Sequence, residues 1–334
     1  MGINTEKMTA TLYDQILSIL QDYLADKGQD HSSLKLRPPR DPKWGDLSSN
    51  ILQLTNGDPS PEDKIIPALE NISAVASVKI SSGRDLNIFF DPSYWTEEII
   101  MLSEMGVRYG AGGYEPSLNI SVPAGDADLM ALKRRWTAEA LSKFAKMLGG
   151  SAQILETEEM ERSGFNASAA LAKCGEQTLR LAILTHDDDF AIHFSPAKAL
   201  DRSYDAPAFL LPYTYATIHR LLDQNAAAGE DVALISDEVG FSGEEEMALV
   251  RHLIGWPQIL HKSLSEQSLV NLTGFLTGAS LLFFELYKTQ RLQSSDYLTA
   301  GECAPLRREL LNALAHLLED ALEALGHDRV KEFI

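Results

Sequence analysis

The sequence predicts an α+β chain of more than one domain: a small α/β module, then a short central α/β segment, then an all-α bundle at the carboxy terminus. Three observations predict it. Two alternating apolar runs flank a turn at Ser82-Gly83, as in a hairpin. Residues 118–148 read as strand, tight turn and helix, the way nucleotide-binding α/β domains begin. From Ala206 onward the apolar spacing is helical almost throughout.

The first module is taken in order. Residues 6–27 form an amphipathic helix with Leu12, Ile16, Leu17, Ile19, Leu20 and Leu24 on its apolar side. Arg37-Pro38-Pro39-Arg40-Asp41-Pro42 is a rigid connector that cannot be helical. Trp44-Gly45-Asp46-Leu47-Ser48-Ser49-Asn50 leads into a helix around 47–55, and a second helix starts at Ser60-Pro61-Glu62. Val75–Ile80 and Asp85–Phe90 are the hairpin strands, and Pro92 stops the second. Tyr94–Met105 is a helix, and Tyr109-Gly110-Ala111-Gly112-Gly113 is a flexible join.

In the central segment, Leu118–Val122 is a strand and Pro123-Ala124-Gly125-Asp126 breaks it. Ala127–Leu148 is one helix, with Leu129, Leu132, Trp136, Ala140, Phe144 and Met147 at helical spacing. The turn has one glycine, no Gly-x-Gly-x-x-Gly, no Walker lysine and no histidine. Lys133-Arg134-Arg135 is read as a solvated face rather than a phosphate contact, since Arg134 lies opposite Leu129, Leu132 and Trp136. Ala152–Leu155 is a second strand, Ser168–Leu184 a helix running through Gly175, and Phe190–Phe194 a third strand. His186-Asp187-Asp188-Asp189 is a polar turn; a single acidic run without supporting ligands assigns no metal.

The bundle is expected to hold helices at 206–226, 243–253, 256–263, 266–291 and 302–325. Residues 206–334 contain nine basic and eighteen acidic residues, and the whole chain of 334 residues has a net charge of −19. That excludes indiscriminate nucleic-acid binding, which needs Lys and Arg, but leaves room for a local basic face. No apolar run approaches membrane-spanning length, and the first thirty residues show no cleavable signal pattern. Cys174 and Cys303 have no metal-ligand spacing and are read as reduced thiols, so the cytoplasm is the expected location.

Three collinear blocks resemble the arginyl-tRNA synthetases. Residues 6–110, with Pro42-Lys43-Trp44-Gly45-Asp46-Leu47-Ser48-Ser49-Asn50, Asn87-Ile88-Phe89-Phe90 and Tyr109-Gly110, are similar to the amino-terminal additional domain of that family. Residues 176–222, with Glu176-Gln177-Thr178-Leu179-Arg180 and Tyr213-Thr214-Tyr215-Ala216, resemble the end of the catalytic domain and its exit helix. Residues 233–330, with Gly255-Trp256-Pro257, Phe283-Phe284-Glu285-Leu286-Tyr287 and Leu325-Gly326-His327-Asp328-Arg329, resemble its DALR-type anticodon-binding domain. The resemblance implies three parts: 1–112, a D-loop-binding type of domain; 113–205, a shortened Rossmann-like remnant of the class I catalytic domain; and 206–334, a helical anticodon-binding-type domain.

The departures shape the functional expectation. The family's His-x-Gly-His signature, whose histidines stabilise charge on the α-phosphate of ATP, falls here on Asp128-Leu129-Met130-Ala131. Both imidazole positions are gone. No Lys-Met-Ser-Lys-like loop occurs, and the stretch between Asp128 and Tyr213 is too short for a doubly wound sheet with an amino-acid pocket. The resemblance therefore implies a truncated, non-catalytic paralogue with no catalytic residues, no metal and no bound cofactor, ATP included. Its expected partner is tRNA, tRNA-Arg in particular. The implied tRNA contacts are Asn87 and Phe90 at the D-loop and Tyr213, Tyr287, Lys288, Arg291 and Arg329 at the anticodon. Strict alternation puts Asn87 on the same face as Phe89, so pairing it with Phe90 needs a bulge or the strand end. The alternative function is an interaction module that contacts a protein, which the acidity favours; an active arginine–tRNA ligase ranks last.

Overall fold

The computed structural model describes residues 11–55, 60–125, 128–157, 165–186, 191, 193–226, 240–241, 243–292 and 296–328. The chain falls into two compact units, Met1–Thr96 and Glu97–Ile334.

In the first unit, α1 (Leu12–Asp26) starts at a capping box. The Thr11 hydroxyl accepts the Asp14 N–H, and the Asp14 carboxylate accepts the Thr11 N–H, both at 3.2 Å. Leu12, Ile16, Leu20 and Leu24 are buried, one per helical turn. Four antiparallel strands follow, β1 (Leu36–Arg37), β2 (Leu47–Ser49), β3 (Val75–Ile80) and β4 (Leu86–Phe90), in the order β1-β2-β4-β3. The hairpin is β3–β4. The helix expected around 47–55 is only α2 (Ile51–Leu54). Leu47, Ser48 and Ser49 instead pair with Ile88, Asn87 and Leu86, because β4 offers them a ladder that local propensity does not register. Leu36–Arg37, of which Arg37 was expected to open a connector, adds the outer strand. A third helix, α3 (Glu62–Glu70), sets Ile65 and Leu69 into the core with Leu86 and Ile88. A fourth, α4 (Pro92–Met105), begins in this unit and ends in the next.

The second unit opens with β5 (Ser117–Pro123), α5 (Leu129–Met147) and β6 (Ser151–Thr157). The strands are parallel and in register from Ser117↔Ser151 to Pro123↔Thr157, with α5 as the crossover. Leu118, Ile120 and Val122 point inward and Ser117, Asn119 and Ser121 outward. Among the described residues this sheet has two strands. The single helix expected over 168–184 is two, α6 (Ala167–Cys174) and α7 (Glu176–Leu184), because Gly175 sits at φ +73° and breaks the ladder. The strand expected at Phe190–Phe194 is not seen: Ala191 is helical, Phe194 is irregular, and Phe190 and Ile192 lie outside the described residues. A short turn of helix, α8 (Pro196–Ala199), leads to the bundle.

The bundle comprises α9 (Pro207–Ala226), α10 (Glu244–Ile254), α11 (Trp256–Ser265), α12 (Val270–Thr289) and α13 (Ala304–Leu325). Helix α9 packs on α12 and α13, and α10 and α11 pack on α12. Tyr215, Trp256 and Phe283 are its largest fully buried side chains. One sequence expectation is corrected here: α12 has 20 residues, and an 18-residue stretch of it, with a mean hydropathy of 1.2, is long and apolar enough to cross a membrane by length and composition. Half of that stretch is buried in the bundle, where Leu272, Leu276, Ala279 and Phe283 meet the neighbouring helices. Its apolarity is that of a central core helix.

Candidate nucleic-acid interface

The register of the first sheet places four residues in one row across it: Arg37 on β1, Ser48 on β2, Asn87 on β4 and Lys79 on β3. Opposed residues in antiparallel strands share a face, so all four point the same way. The Ser48 hydroxyl donates to Asn87 Oδ1 at 2.9 Å, which fixes the amide. Asn87 itself is only 6% exposed, whereas Arg37 and Lys79 on either side are exposed. Phe89 lies on the same face, and the Lys79 ammonium sits 4.6 Å from its ring centre.

Phe90 is the last residue of β4, and a register shift in β3 between Val75 and Ser77 lies opposite it. Its N–H donates to Asp46 Oδ2 at 2.9 Å. Its ring meets Tyr94 edge-on at 5.1 Å and Trp95 at 5.4 Å. Of the two phenylalanines, Phe89 is therefore the one beside the Asn87 row, and Phe90 props the start of α4. Arg37 and Lys79 were missed from sequence, because only the strand register puts them next to Asn87.

On the bundle, Tyr213 from α9 and Tyr287 from α12 come together around Phe284, at 5.5 Å and 6.0 Å between ring centres. Phe209, one turn before Tyr213, stacks on it at 5.0 Å; its i, i+4 spacing was the available signal. Tyr204, in the turn before α9, stacks on Phe284 at 4.6 Å and lies 6.1 Å from Tyr213. Burial first, and the neighbouring Tyr213 hydroxyl next, push the Tyr204 phenol above its usual range. No periodicity marks Tyr204 in the sequence. Lys288 is exposed directly after Tyr287, and Arg291 is exposed at the helix end with φ +49°. Arg329 lies outside the described residues.

The turn at 128–131 is a helix start. Asp128 is the N-cap of α5, and its Oδ1 accepts the Ala131 N–H at 2.9 Å. Asp128, Leu129, Met130 and Ala131 are all buried. Of the basic run that follows, Lys133 is buried and its ammonium donates to the His186 carbonyl at 2.8 Å. Arg135 meets Glu156 of β6 at 3.2 Å, and Arg134 is exposed. Only Arg134 has the solvated position read from sequence; Lys133 is drawn in by the His186 carbonyl, just past the end of α7. His186 Nδ1 lies 2.7 Å from the Ala182 carbonyl oxygen, and the three aspartates after it lie outside the described residues.

A βαβ unit followed by a helical bundle with an aromatic face is the class of architecture: α+β, closed by an all-α domain. Residues 211–332 match the DALR anticodon binding domain. The arginine–tRNA ligase of Rhodospirillum rubrum is 24% identical over 247 residues, which span 70% of this chain and 40% of that protein. The arginine–tRNA ligase of Nitratidesulfovibrio vulgaris is 35% identical over 104 residues, 29% of this chain and 19% of that one. The crystal structure of arginyl-tRNA synthetase from Plasmodium falciparum superposes with a TM-score of 0.65 at 9% identity, covering 97% of this chain and 99% of that chain. At that identity it shows the fold. The chain thus carries a DALR-type segment and is similar in sequence to parts of the arginine–tRNA ligases, and it spans less than half the length of the curated relatives it matches.

Proposed function

We propose that this chain binds tRNA without charging it. The observation that carries the reading is the aromatic face of the bundle, where Tyr213 and Tyr287 surround Phe284 with Lys288 beside them. Aromatic rings next to cations are how unstacked bases are held. Most of that face lies within the segment that matches an anticodon-binding domain. The sheet face with Arg37, Asn87, Lys79 and Phe89 supports a second contact, at the D-loop, with Phe90 as its prop. In this reading residues 1–112 take the tRNA elbow, 113–205 are the remnant of a catalytic domain, and 206–334 take the anticodon loop. The ligand is tRNA-Arg, met in the cytoplasm.

The absence of charging rests on the turn at 128–131. Donors to an α-phosphate must point at it, as the family's imidazoles do. Here a carboxylate faces its own helix's first amides, and the residues after it are apolar and buried. That donor set does not fit a nucleotide phosphate, and no cofactor is proposed.

A second reading, a module that contacts a protein, is favoured by one observation: the net charge of −19, with twice as many acids as bases in the bundle segment. Two assays separate the possibilities. ATP–pyrophosphate exchange with arginine and tRNA-Arg is expected to stay at background, and turnover would falsify the non-catalytic reading. A low-salt gel shift with tRNA-Arg is expected to show a complex. No complex there rejects tRNA binding and leaves the protein-partner reading.

A further inference from the structure

We propose that Tyr204 is the outer ring of a stacking platform for one unpaired RNA base, so that this face grips its ligand by stacking rather than by neutralising phosphate. The proposal rests on the RNA-binding reading above. Tyr204 lies outside residues 211–332, so the family match does not assign it.

Three ring pairs are stacked: Phe209 and Tyr213 are 16° apart, Tyr213 and Phe284 12°, and Tyr204 and Phe284 21°, while Tyr204 is tilted by 32° to Tyr213. Phe284 is buried and forms the floor, whereas Tyr204 is 44% exposed and forms the outer edge. Its position is fixed locally: Asp201 accepts the Ser203 N–H at 3.1 Å and the Ser203 hydroxyl at 2.9 Å, which shapes the turn that presents it. A flat π-surface held at a set tilt, with an open outer side, is what a base needs to continue a stack.

The charges nearby balance. Arg202, Lys288 and Arg291 are exposed, and so are Asp201, Asp205 and Glu285. A surface that held its ligand through phosphates would show an excess of cations and a steep salt dependence. This one has the rings without the excess.

The test uses the full chain and an anticodon stem-loop RNA carrying a fluorescent purine at each loop position in turn. Binding is expected to change the fluorescence at one position, with a shallow salt dependence. Tyr204→Ala should abolish that change and weaken binding about tenfold, with the salt slope unaltered. Tyr204→Phe should keep both signals, and Tyr204→Leu, which still covers Phe284, should lose them while melting like the wild type. Wild-type binding and fluorescence in Tyr204→Ala or Tyr204→Leu, with Tyr213→Ala impaired, overturn the role of Tyr204 and leave the RNA reading standing. A wild-type chain that binds neither the stem-loop nor tRNA overturns both.

Discussion

A Cβ placed on Gly326 would lie 2.4 Å from Nε of Arg180. The approach is this close because that Nε donates to the Leu325 carbonyl at 2.7 Å, at the last turn of α13. The same guanidinium donates to Glu139 Oε2 at 2.6 Å and lies 5.1 Å from the centre of the Trp136 ring. One buried side chain on α7 thus joins α5 to the carboxy-terminal end of α13. Lys143 of α5 reaches the same helix end, at the Glu323 carbonyl. Cations at a helix carboxy terminus are favourable by charge as well as by hydrogen bonding.

Gly326→Ala is expected to destabilise the second unit by about 2–3 kcal/mol. The position has φ +81°, costing an L-residue about 1–2 kcal/mol, and the new methyl must also displace Arg180. Arg180→Met should cost about 1–3 kcal/mol by leaving the Leu325 carbonyl unpaired. Urea unfolding of each variant, and of the pair together, checks this. Because both act through one contact, the double variant should lose clearly less than the two single losses added.

Asp128→Ala is expected to cost about 1 kcal/mol, the usual worth of an N-cap. Asp128→Asn should recover most of it, since an amide oxygen can still accept the Ala131 N–H. A variant that puts histidine at 128 and 131 and glycine at 130 should show no arginine-dependent pyrophosphate exchange. Recovered exchange there would mean that the nucleotide site survives around the turn.

Lys79→Ala and Arg37→Ala are each expected to weaken tRNA binding and to lower the magnitude of the salt slope by about one, the signature of a lost phosphate contact. Asn87→Ala should weaken binding at constant slope. Phe90→Ala should act mainly on stability, through Tyr94 and Trp95, and its effect on tRNA should follow its effect on melting. Filter binding across a salt series, with melting curves alongside, separates the two kinds of loss.

Glu246 gives a pH dependence with a definite sign. Burial pushes its carboxyl up, but the nearby Tyr297 hydroxyl, a hydrogen bond from the Gly243 N–H and the Arg307 guanidinium outweigh burial and hold it below its usual range. Arg307 Nε donates to it at 2.8 Å. A carboxyl lowered in the folded state contributes stability that is fully present above its unfolded value, near 4.5, and is lost as pH falls through the lower folded value. Glu246→Gln should therefore be less stable at neutral pH and should lose less on acidification below about pH 4.5. Chemical denaturation at a series of pH values measures both.

Much of this was legible along the chain because it is written in periodicity. Leu129, Leu132, Trp136, Ala140 and Phe144 are all buried on α5, as their spacing requires. The bundle helices lie within a few residues of their expected bounds, with α12 shorter at its start, because long amphipathic patterns leave little choice. Leu47–Ser49 was misread because three residues carry no period, and a partner strand nearly forty residues away decided their state. Gly175 was read through because a lone glycine inside a helical pattern is often tolerated; only its positive φ shows that it breaks the helix.

The sequence by itself determined the α+β order of elements, the DALR-type bundle and the absence of histidine from 128–131, since each of these depends on residue types at fixed positions. The tertiary structure decided what stands next to what. It put Arg37 and Lys79 beside Asn87 through strand register, gathered Tyr204 and Tyr213 on Phe284 from separate segments, and gave Asp128 its place as a cap. These are contacts between residues distant in sequence, or choices between two local conformations, and packing alone selects among them.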